Sequence, residues 1–404
     1  MRPRPPGDRD GRVPAIIIGS GLTALGVQRL LHRDRIPTYT LSSSPSIESR
    51  SRWYRPLPLG HAADTAPAGL EATLRACPLP RAVLIPCSDH AVNDVAALPP
   101  PLAARFPSSI APPATVARLT DKAKFAALLD ELSVPRPLTI LVARPSDIDA
   151  VPDGAFRGAF LKPRDSISFF ARYGCKAFRL ASRADAAQRL AQLQADGIGV
   201  ILQEFIPGPG SNHYLIDGFA DAAGRVRTLF ARRRIRIYPA EFGNSSYMVS
   251  VPLASVGEAA ESLKKIVAAL HFRGIFSAEF KLDERDRSFK ILEINARAWW
   301  YVEFAGRCGV DVCRMAYEDA LGHEVPEQWD YRVGARLVYA YIDLQAGLCE
   351  WRAGRLSLAA WSRSWLGAQQ PDFNWTDPLP ALCGWGRHLR NVLARPFRLP
   401  SGPS

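Results

Sequence analysis

Residues 274–300 read GIFSAEFKLDERDRSFKILEINARAWW, and this stretch decides the predicted fold. Two runs of alternating apolar and polar residues flank the charged turn at residues 284–287, a pattern typical of a β-hairpin. Because side chains alternate between the two faces of a strand, Glu279, Glu293 and Asn295 can share one face. Mg²⁺ prefers such oxygen ligands and is usually held by one or two carboxylates together with nucleotide phosphates.

Taken alone, the same three side chains could equally form a solvated sheet face, so the interpretation depends on the lysines. Only eight of the 51 basic residues are lysines, and a compact ammonium is not interchangeable with a guanidinium. Lys162 ends the apolar run GAFL and precedes Pro163, which keeps its backbone extended. Lys122 stands in the first turn of a predicted helix whose start is capped by Thr120 or Asp121, where exposed N–H groups and the helix dipole favour an anion. Either lysine could be an ordinary surface charge, but with the two carboxylates they predict a site for a metal-bound triphosphate.

Two further segments carry weaker signals. VILQEF, residues 200–205, is a predicted strand that runs into the turn PGPGS. Its edge could offer one N–H and one C=O group to an adenine ring, with Phe205 and Ile206 packed nearby. Residues 14–41 contain a strand, a glycine-rich turn, a helix and a second strand, which is the opening of a doubly wound sheet. The glycines of this turn do not complete a GxGxxG motif, so a dinucleotide site is not predicted.

The composition excludes several classes of protein. Apolar residues make up 47% of the chain and charged residues 22%, and no apolar run approaches the length of a membrane span. The first dozen residues are too polar for a signal-peptide core, and the seven cysteines include no CxxC pair that would indicate a zinc site. We therefore expect a cytoplasmic protein with reduced thiols. The net charge of +12 would suit an anionic partner, but no interleaved basic and aromatic motif indicates nucleic-acid binding.

The sequence predicts an α/β domain followed by an α+β domain and a tail of different composition. The expected parts are a disordered leader at residues 1–11, the α/β domain at 12–115, the α+β domain at 116–325 and a C-terminal extension at 326–404. Six of the nine tryptophans lie in the extension, together with many arginines and no lysine. Its last stretch, CGWGRHLRNVLARPFRLP, has the composition of a basic amphipathic helix. Two interpretations stay open: a peripheral contact with a membrane or a protein, and docking on the chain's own surface.

The order of these motifs resembles the ATP-grasp superfamily, particularly the D-aspartate ligase group and the ATP-binding part of the carbamoyl phosphate synthetase large chain. The matching stretches lie within residues 14–322 and read GSGLTALG, LTDKAKFAALLDELSVPRP, FLKP, ILQEFIPGPGSNHY, GIFSAEFKLD and ILEINARAWW. The resemblance implies a Rossmann-like pre-ATP-grasp domain, then a two-subdomain ATP-grasp fold that grips the nucleotide, then the Trp-rich C-terminal extension.

The resemblance also implies roles in binding ATP and a metal ion. Phosphate oxygens would be held by Lys122 and Lys162, and the adenine would be lined by Gln203, Glu204 and Ile206. Mg²⁺ or Mn²⁺ would be held by Glu279, Glu293 and Asn295, the ribose would be contacted by His213, and the acyl phosphate and tetrahedral intermediate would be steadied by Arg297. Two departures stand out: residues 163–176 contain one glycine where relatives have a glycine-rich flap, and EINAR lacks the proline of the usual EINPR.

The implied activity is that of an ADP-forming ligase, which converts a small-molecule carboxylate into an acyl phosphate and joins it to an amine. Phosphoryl transfer depends mainly on positioning and charge neutralisation, so lysines, an arginine and a metal suffice. Bicarbonate as the carboxylate, giving carbamoyl phosphate-like chemistry, and a non-catalytic nucleotide-gated binding protein are the alternatives. The aromatic run at 299–301 could shape an acceptor pocket or lie in the core, and the basic strand at 232–236 could clamp an acidic substrate or be solvated.

Overall fold

The computed structural model describes residues 11–42, 44–59, 69–142, 144–149, 151–152, 156, 158–163, 169, 172–175, 177–239 and 243–394. The predicted leader lies outside these ranges except for its last residue, and so does most of the low-glycine segment at 163–176. Within the described ranges, every helix is too short or too polar to span a lipid bilayer.

The strands of these residues form three sheets. The first is parallel and contains β1 (Ala15–Ile18), β2 (Thr38–Leu41) and β3 (Val83–Pro86) in the order β2-β1-β3. The second is antiparallel and contains β4 (Thr139–Val142), β5 (Phe160–Pro163), β6 (Phe178–Arg179) and β7 (Val200–Gln203) in the order β4-β7-β5-β6. The third, also antiparallel, contains β8 (His213–Ala220), β9 (Val226–Tyr238), β10 (Asn244–Ser250), β11 (Gly274–Leu282), β12 (Phe289–Asn295) and β13 (Arg336–Val338) in the order β12-β11-β8-β9-β10-β13.

Helices cover these sheets. They are α1 (Gly21–Arg33), α2 (Leu70–Ala76), α3 (Asp89–Ala96), α4 (Pro100–Arg105), α5 (Pro113–Thr120), α6 (Lys122–Glu131), α7 (Arg183–Ala195), α8 (Gly257–Ala269), α9 (Val302–Arg307), α10 (Val312–Ala320), α11 (Ala340–Arg352), α12 (Leu358–Trp365) and α13 (Leu379–Ala394). The prediction of a mixed α/β protein with antiparallel hairpins is confirmed, including the hairpin of β11 and β12. Strands β4, β6, β10 and β13 were not predicted from the sequence.

The first helix joins the parallel sheet to the polypeptide that follows the predicted metal strand. A Cβ atom on Gly26 of α1 would lie 2.9 Å from Val302 Cγ1, and one on Gly306 of α9 would lie 2.3 Å from Leu30 Cδ2. Both glycines therefore allow α1 and α9 to pack at close range. Because α9 begins seven residues after Asn295, this packing fixes the end of β12 against the parallel sheet.

The polypeptide beyond residue 325 packs on the third sheet. Strand β13 pairs with β10, so the sheet itself extends into the predicted C-terminal extension. Asp343 of α11 is fully buried and accepts hydrogen bonds from Arg236 Nε at 2.9 Å and from the indole N–H groups of Trp361 at 3.0 Å and Trp365 at 2.7 Å. Two of the extension's six tryptophans thus hold a buried carboxylate opposite an arginine of β9.

Candidate active site

A cleft of about 530 Å³ lies between the second and the third sheet. This volume is within the range of small-molecule binding sites. The cleft is lined by all but one of the residues to which the resemblance gave a role, namely Lys122, Lys162, Gln203, Glu204, Ile206, His213, Glu279, Glu293 and Asn295. Arg297 is not part of this wall, but it contacts Asn295. The structure therefore brings together side chains from distant parts of the chain, while their individual roles stay predictions.

Two carboxylates face each other across the hairpin of β11 and β12. Glu279 and Glu293 are direct cross-strand partners, and Asn295 lies two residues further along β12, opposite Ser277. Side chains of such partners lie on the same face, with Cβ atoms about 5 Å apart, and like charges at this spacing destabilise a sheet. The pair therefore needs cations, and one is Arg234, whose NH2 donates to Glu279 Oε2 at 2.9 Å.

The neighbours of Glu279 keep its carboxylate ionised. Burial alone would raise its pKa, but the charge of Arg234 and the contact with His213 outweigh this effect and hold the pKa of Glu279 well below its usual value. His213 Nδ1 lies 2.8 Å from Glu279 Oε1. Burial lowers the pKa of His213, although Glu279 opposes the shift, so we assign a neutral imidazole that donates its Nδ1 hydrogen to the carboxylate. In this structure the predicted ribose ligand thus contacts a predicted metal ligand.

Lys162 lies on the opposite wall, on β5. Its Nζ donates to Gln203 Oε1 at 2.6 Å, which joins two residues predicted to contact different parts of ATP. Burial lowers the pKa of the Lys162 ammonium, the carboxylates of Glu293 and Glu279 raise it, and the charge of Lys122 lowers it further. Since these charges influence one another, two ammonium groups and two carboxylates border the same space.

Lys122 is the first residue of α6, as predicted. The helix is capped by Asp121, whose Oδ1 accepts hydrogen bonds from the backbone N–H groups of Ala123 at 3.0 Å and Lys124 at 3.2 Å. The expected cap is confirmed. Because the N–H groups of Ala123 and Lys124 donate to Asp121, they are not available to bind an anion as we expected. What Lys122 offers the cleft is therefore mainly its side-chain charge.

The segment after β7 is held from both sheets. The Glu204 carboxylate accepts a hydrogen bond from the Leu138 backbone N–H at 3.0 Å and forms an ion pair with Arg285. Lys281 Nζ donates to the Ile206 carbonyl at 2.6 Å and lies 4.5 Å from the centre of the Phe205 ring. Sequence reasoning missed Lys281. Its signal was available, because Lys281 is one of few lysines and follows Glu279 by two residues on the same strand face.

A second missed residue comes from the N-terminal part of the chain. Asp89 begins α3 and lines the cleft together with His90 and Asn93. It forms a two-pronged ion pair with Arg297, with Nε to Oδ1 at 2.8 Å and NH2 to Oδ2 at 3.1 Å. The available signal was a polar Ser-Asp-His sequence directly after a buried strand.

Two residues of the aromatic run and most of the basic strand have structural roles, while Trp300 is 45% exposed. Trp299 and Tyr301 are buried in the core, and the Tyr301 hydroxyl donates to the Ser245 carbonyl. The arginines of β9 do not form one clamp: Arg232 forms a buried ion pair with Asp217, and Arg236 pairs with Asp343. Arg234 is the member of this group that lines the cleft. Neither a solvated strand nor a shared substrate clamp describes these residues.

The candidate metal ligands suit an ion that shares its coordination with phosphates. Among the residues that the structure describes, no group of three or more His, Cys, Asp and Glu side chains is arranged to hold a metal ion. The predicted set has two carboxylates and one amide oxygen, which fits Mg²⁺ only if phosphate or water oxygens complete its octahedral shell.

An antiparallel four-stranded sheet and an antiparallel six-stranded sheet flank the cleft, with Lys162 on one wall and Glu279 and Glu293 on the other. This is the ATP-grasp class of fold. No family model matches the chain. In sequence, the chain is 25% identical over 210 residues to a D-aspartate ligase from Enterococcus faecium (strain Aus0004). The match covers 50% of each protein, so the chain spans about half the length of this curated relative.

Solved structures resemble a larger part of the chain. An N5-carboxyaminoimidazole synthetase from Staphylococcus aureus covers 85% of this chain and 87% of its own, with a TM-score of 0.60 and 14% identity. An L-amino acid ligase from Bacillus licheniformis covers 76% and 75%, with a TM-score of 0.52 and 13% identity. These proteins belong to the ATP-grasp superfamily, so the resemblance predicted from the sequence is confirmed at the level of the fold.

Proposed function

We propose that the chain is an ATP-dependent, ADP-forming carboxylate–amine ligase that works through an acyl phosphate. The observation that carries the proposal is the cleft in which Lys122 and Lys162 border the same space as Glu279 and Glu293. Similarity to a D-aspartate ligase and the shared fold of an L-amino acid ligase support the same class of reaction. We also propose that the parallel sheet belongs to a Rossmann-like pre-ATP-grasp domain with boundaries near residues 11 and 115. The boundary expected near residue 325 is not proposed, because β13 lies beyond it and pairs with β10 of the third sheet.

ATP and Mg²⁺, or Mn²⁺, are the proposed ligands of the cleft. Glu279, Glu293 and Asn295 would hold the metal ion, which supplies positive charge to the phosphate oxygens during transfer. The donor set supports this assignment because Glu279 stays ionised and because two opposed carboxylates gain from a shared cation. Structures of fold relatives with ADP, and one with MgADP, support it as well.

The chain's own residues would then act mainly through position and charge. Lys122 and Lys162 balance the charge of the transferred phosphoryl group while a substrate carboxylate oxygen attacks the γ-phosphorus and ADP leaves. Arg297 lies beside Asn295 and would steady the acyl phosphate. The nitrogen of the neutral amine next bonds to the acyl carbon, and the bond from that carbon to the phosphate oxygen breaks. Inorganic phosphate departs and takes up the proton that the nitrogen loses. Closure of the two sheets over the mixed anhydride would protect it from water.

Hydroxylamine trapping tests the proposal. The purified chain is incubated with MgATP, hydroxylamine and single carboxylates, beginning with D-aspartate and continuing through the amino acids, and both hydroxamate and ADP are measured. We expect at least one carboxylate to give equal amounts of both products. ADP release that depends on bicarbonate alone would favour carbamoyl phosphate-like chemistry. Tight MgATP binding without turnover for any carboxylate would favour a nucleotide-gated binding protein.

The C-terminal extension is a proposed peripheral contact with an anionic membrane surface, and a cytoplasmic location stays a prediction. Three large apolar side chains of the extension are exposed: Trp375 by 88%, Leu366 by 68% and Leu382 by 60%. In the sequence, residues 378–404 contain four arginines and no acidic residue. Exposed aromatic and aliphatic groups in a part of the sequence that is also basic suit a headgroup region. Co-sedimentation with phosphatidylglycerol vesicles, but not with phosphatidylcholine vesicles, is the expected result. Failure to sediment with either type would leave docking on a protein surface as the better account.

A further inference from the structure

We propose that Asp89 is the binding site for the ammonium group of the incoming amine. In this account Asp89 holds Arg297 before the reaction and exchanges it for the amine once Arg297 engages the acyl phosphate. The inference rests on the ligase function proposed above. It identifies the group that binds at one end of the cleft as a primary ammonium.

The position of Asp89 gives it access to the reacting groups. It is the first residue of α3, directly after β3 of the parallel sheet, and Ser88 fixes the start of the helix by accepting a hydrogen bond from the Ala91 backbone N–H at 3.2 Å. Asp89 lines the same cleft as Glu293. Its side chain is 46% exposed, so a ligand in the cleft can reach the carboxylate without any movement of the backbone.

The pairing of Arg297 supplies the second observation. Both oxygens of Asp89 accept hydrogen bonds from its guanidinium, and the Arg297 NH2 group also donates to Asn295 Oδ1 at 3.2 Å. A guanidinium bound in this two-pronged way presents to the carboxylate the same fork that it would present to an acyl phosphate. Asp89 and the acyl phosphate are therefore competitors for one cation.

The competition leaves a charge to be matched. When Arg297 turns to the acyl phosphate, the Asp89 carboxylate loses its partner at the edge of the cleft. Lys162 cannot easily take the place of Arg297 beside Asp89, because its ammonium group is already attracted by the carboxylates of Glu293 and Glu279. The next reactant is a primary amine, which carries a positive charge in neutral solution. Binding of that ammonium by Asp89 would restore the charge balance and place the nitrogen beside the activated acyl group. The ammonium then gives one proton to solvent water and attacks as the neutral amine.

Asp89→Asn tests the inference, because asparagine keeps the shape of the side chain and removes its charge. Asp94→Asn is the matched control: it makes the same change on the exposed face of the same helix. Each variant is assayed with hydroxylamine, which is uncharged at neutral pH, and with the cationic amine that the wild-type enzyme uses best among L-lysine, the other amino acids and their amides.

For Asp89→Asn we expect KM for the cationic amine to rise about 10- to 100-fold. A change of this size corresponds to the loss of one charge-assisted hydrogen bond. The loss should be specific to the cationic amine: kcat/KM for the amine divided by kcat/KM for hydroxylamine should fall by about the same factor in Asp89→Asn, whereas Asp94→Asn should leave this ratio within about twofold of wild type. An equal loss with hydroxylamine and with the amine would overturn the inference, since Asp89 would then act only by positioning Arg297. An unchanged KM for the amine would overturn it too. If the wild-type enzyme forms no hydroxamate with any carboxylate, the ligase function itself fails, which is a separate result.

Discussion

Replacement of Lys162 by methionine should slow phosphoryl transfer without unfolding the protein. Methionine has a similar length but no charge, and the ammonium is already disfavoured by burial, which lowers the pKa of Lys162. The folded state therefore loses few stabilising interactions. The main one is the 2.6 Å hydrogen bond to Gln203, whose side chain borders the open cleft. We expect the free energy of unfolding to change by less than about 1.5 kcal/mol, the net worth of one such hydrogen bond.

The effect on the rate follows from the charges in the cleft. One positive charge about 4 Å from a phosphate oxygen contributes about 4 kcal/mol at an effective dielectric constant of about 20. Loss of one preorganised electrostatic group typically lowers kcat by about 10²- to 10³-fold, or about 2.7–4 kcal/mol. Both arguments give the same scale, and we expect kcat of Lys162→Met to fall within that range.

The rate of phosphoryl transfer is measured directly as the formation of ADP in a single turnover, with samples taken by rapid quench. Lys124→Met is the control, since it removes the same charge from an exposed residue in the first turn of α6, and its rate should lie within about twofold of wild type. A Lys162→Met enzyme with the wild-type rate would refute the reasoning. A loss of the same size in Lys124→Met would also refute it, because net charge rather than position would then be the cause.

Three other changes test the structure. Glu279→Gln should raise the Mg²⁺ concentration needed for half-maximal activity by at least about tenfold; an unchanged Mg²⁺ titration would remove Glu279 from the metal site. Asp343→Ala leaves the buried Arg236 without its ion-pair partner, so urea denaturation should show a loss of about 3–5 kcal/mol, and a loss below 1 kcal/mol would contradict this. Gly218→Ala would place a Cβ atom 2.5 Å from Phe276 Cζ and should lower the free energy of unfolding by about 1–3 kcal/mol. Gly257→Ala meets no atom within 4 Å and should not lower it. Equal thermal stability of the two variants would count against the packing around Gly218.

The features that the sequence predicted well are local or periodic. The polar alternation within each strand indicated that Glu279, and Glu293 together with Asn295, each face one side of their strand. The direct pairing of Glu279 with Glu293 depends on a β-bulge between Glu279 and Phe280, which the alternation did not predict. The cap at Asp121 and the helix after it followed from residues that are neighbours in sequence. Lys162 was identifiable because lysine is rare in this chain and because a proline follows it.

The features that it did not predict depend on contacts between distant segments. β4 has four residues in a proline-rich connection, and β10 reads NSSYMVS, so neither has the apolar alternation of an isolated strand. Tertiary pairing with their neighbours overrides this weak propensity. The ion pair of Asp89 and Arg297 joins residues 208 positions apart, and no local pattern specifies it.

The central claim is that a substrate carboxylate is activated as an acyl phosphate in this cleft. It is tested by supplying the carboxylate that supports ADP release with both oxygens replaced by ¹⁸O, in the presence of MgATP and the amine. An acyl phosphate leaves one labelled oxygen on the inorganic phosphate, and we predict one ¹⁸O per phosphate by mass spectrometry. Phosphate without label, formed at the same rate as ADP, would contradict the account, because the γ-phosphoryl group would then have passed to water.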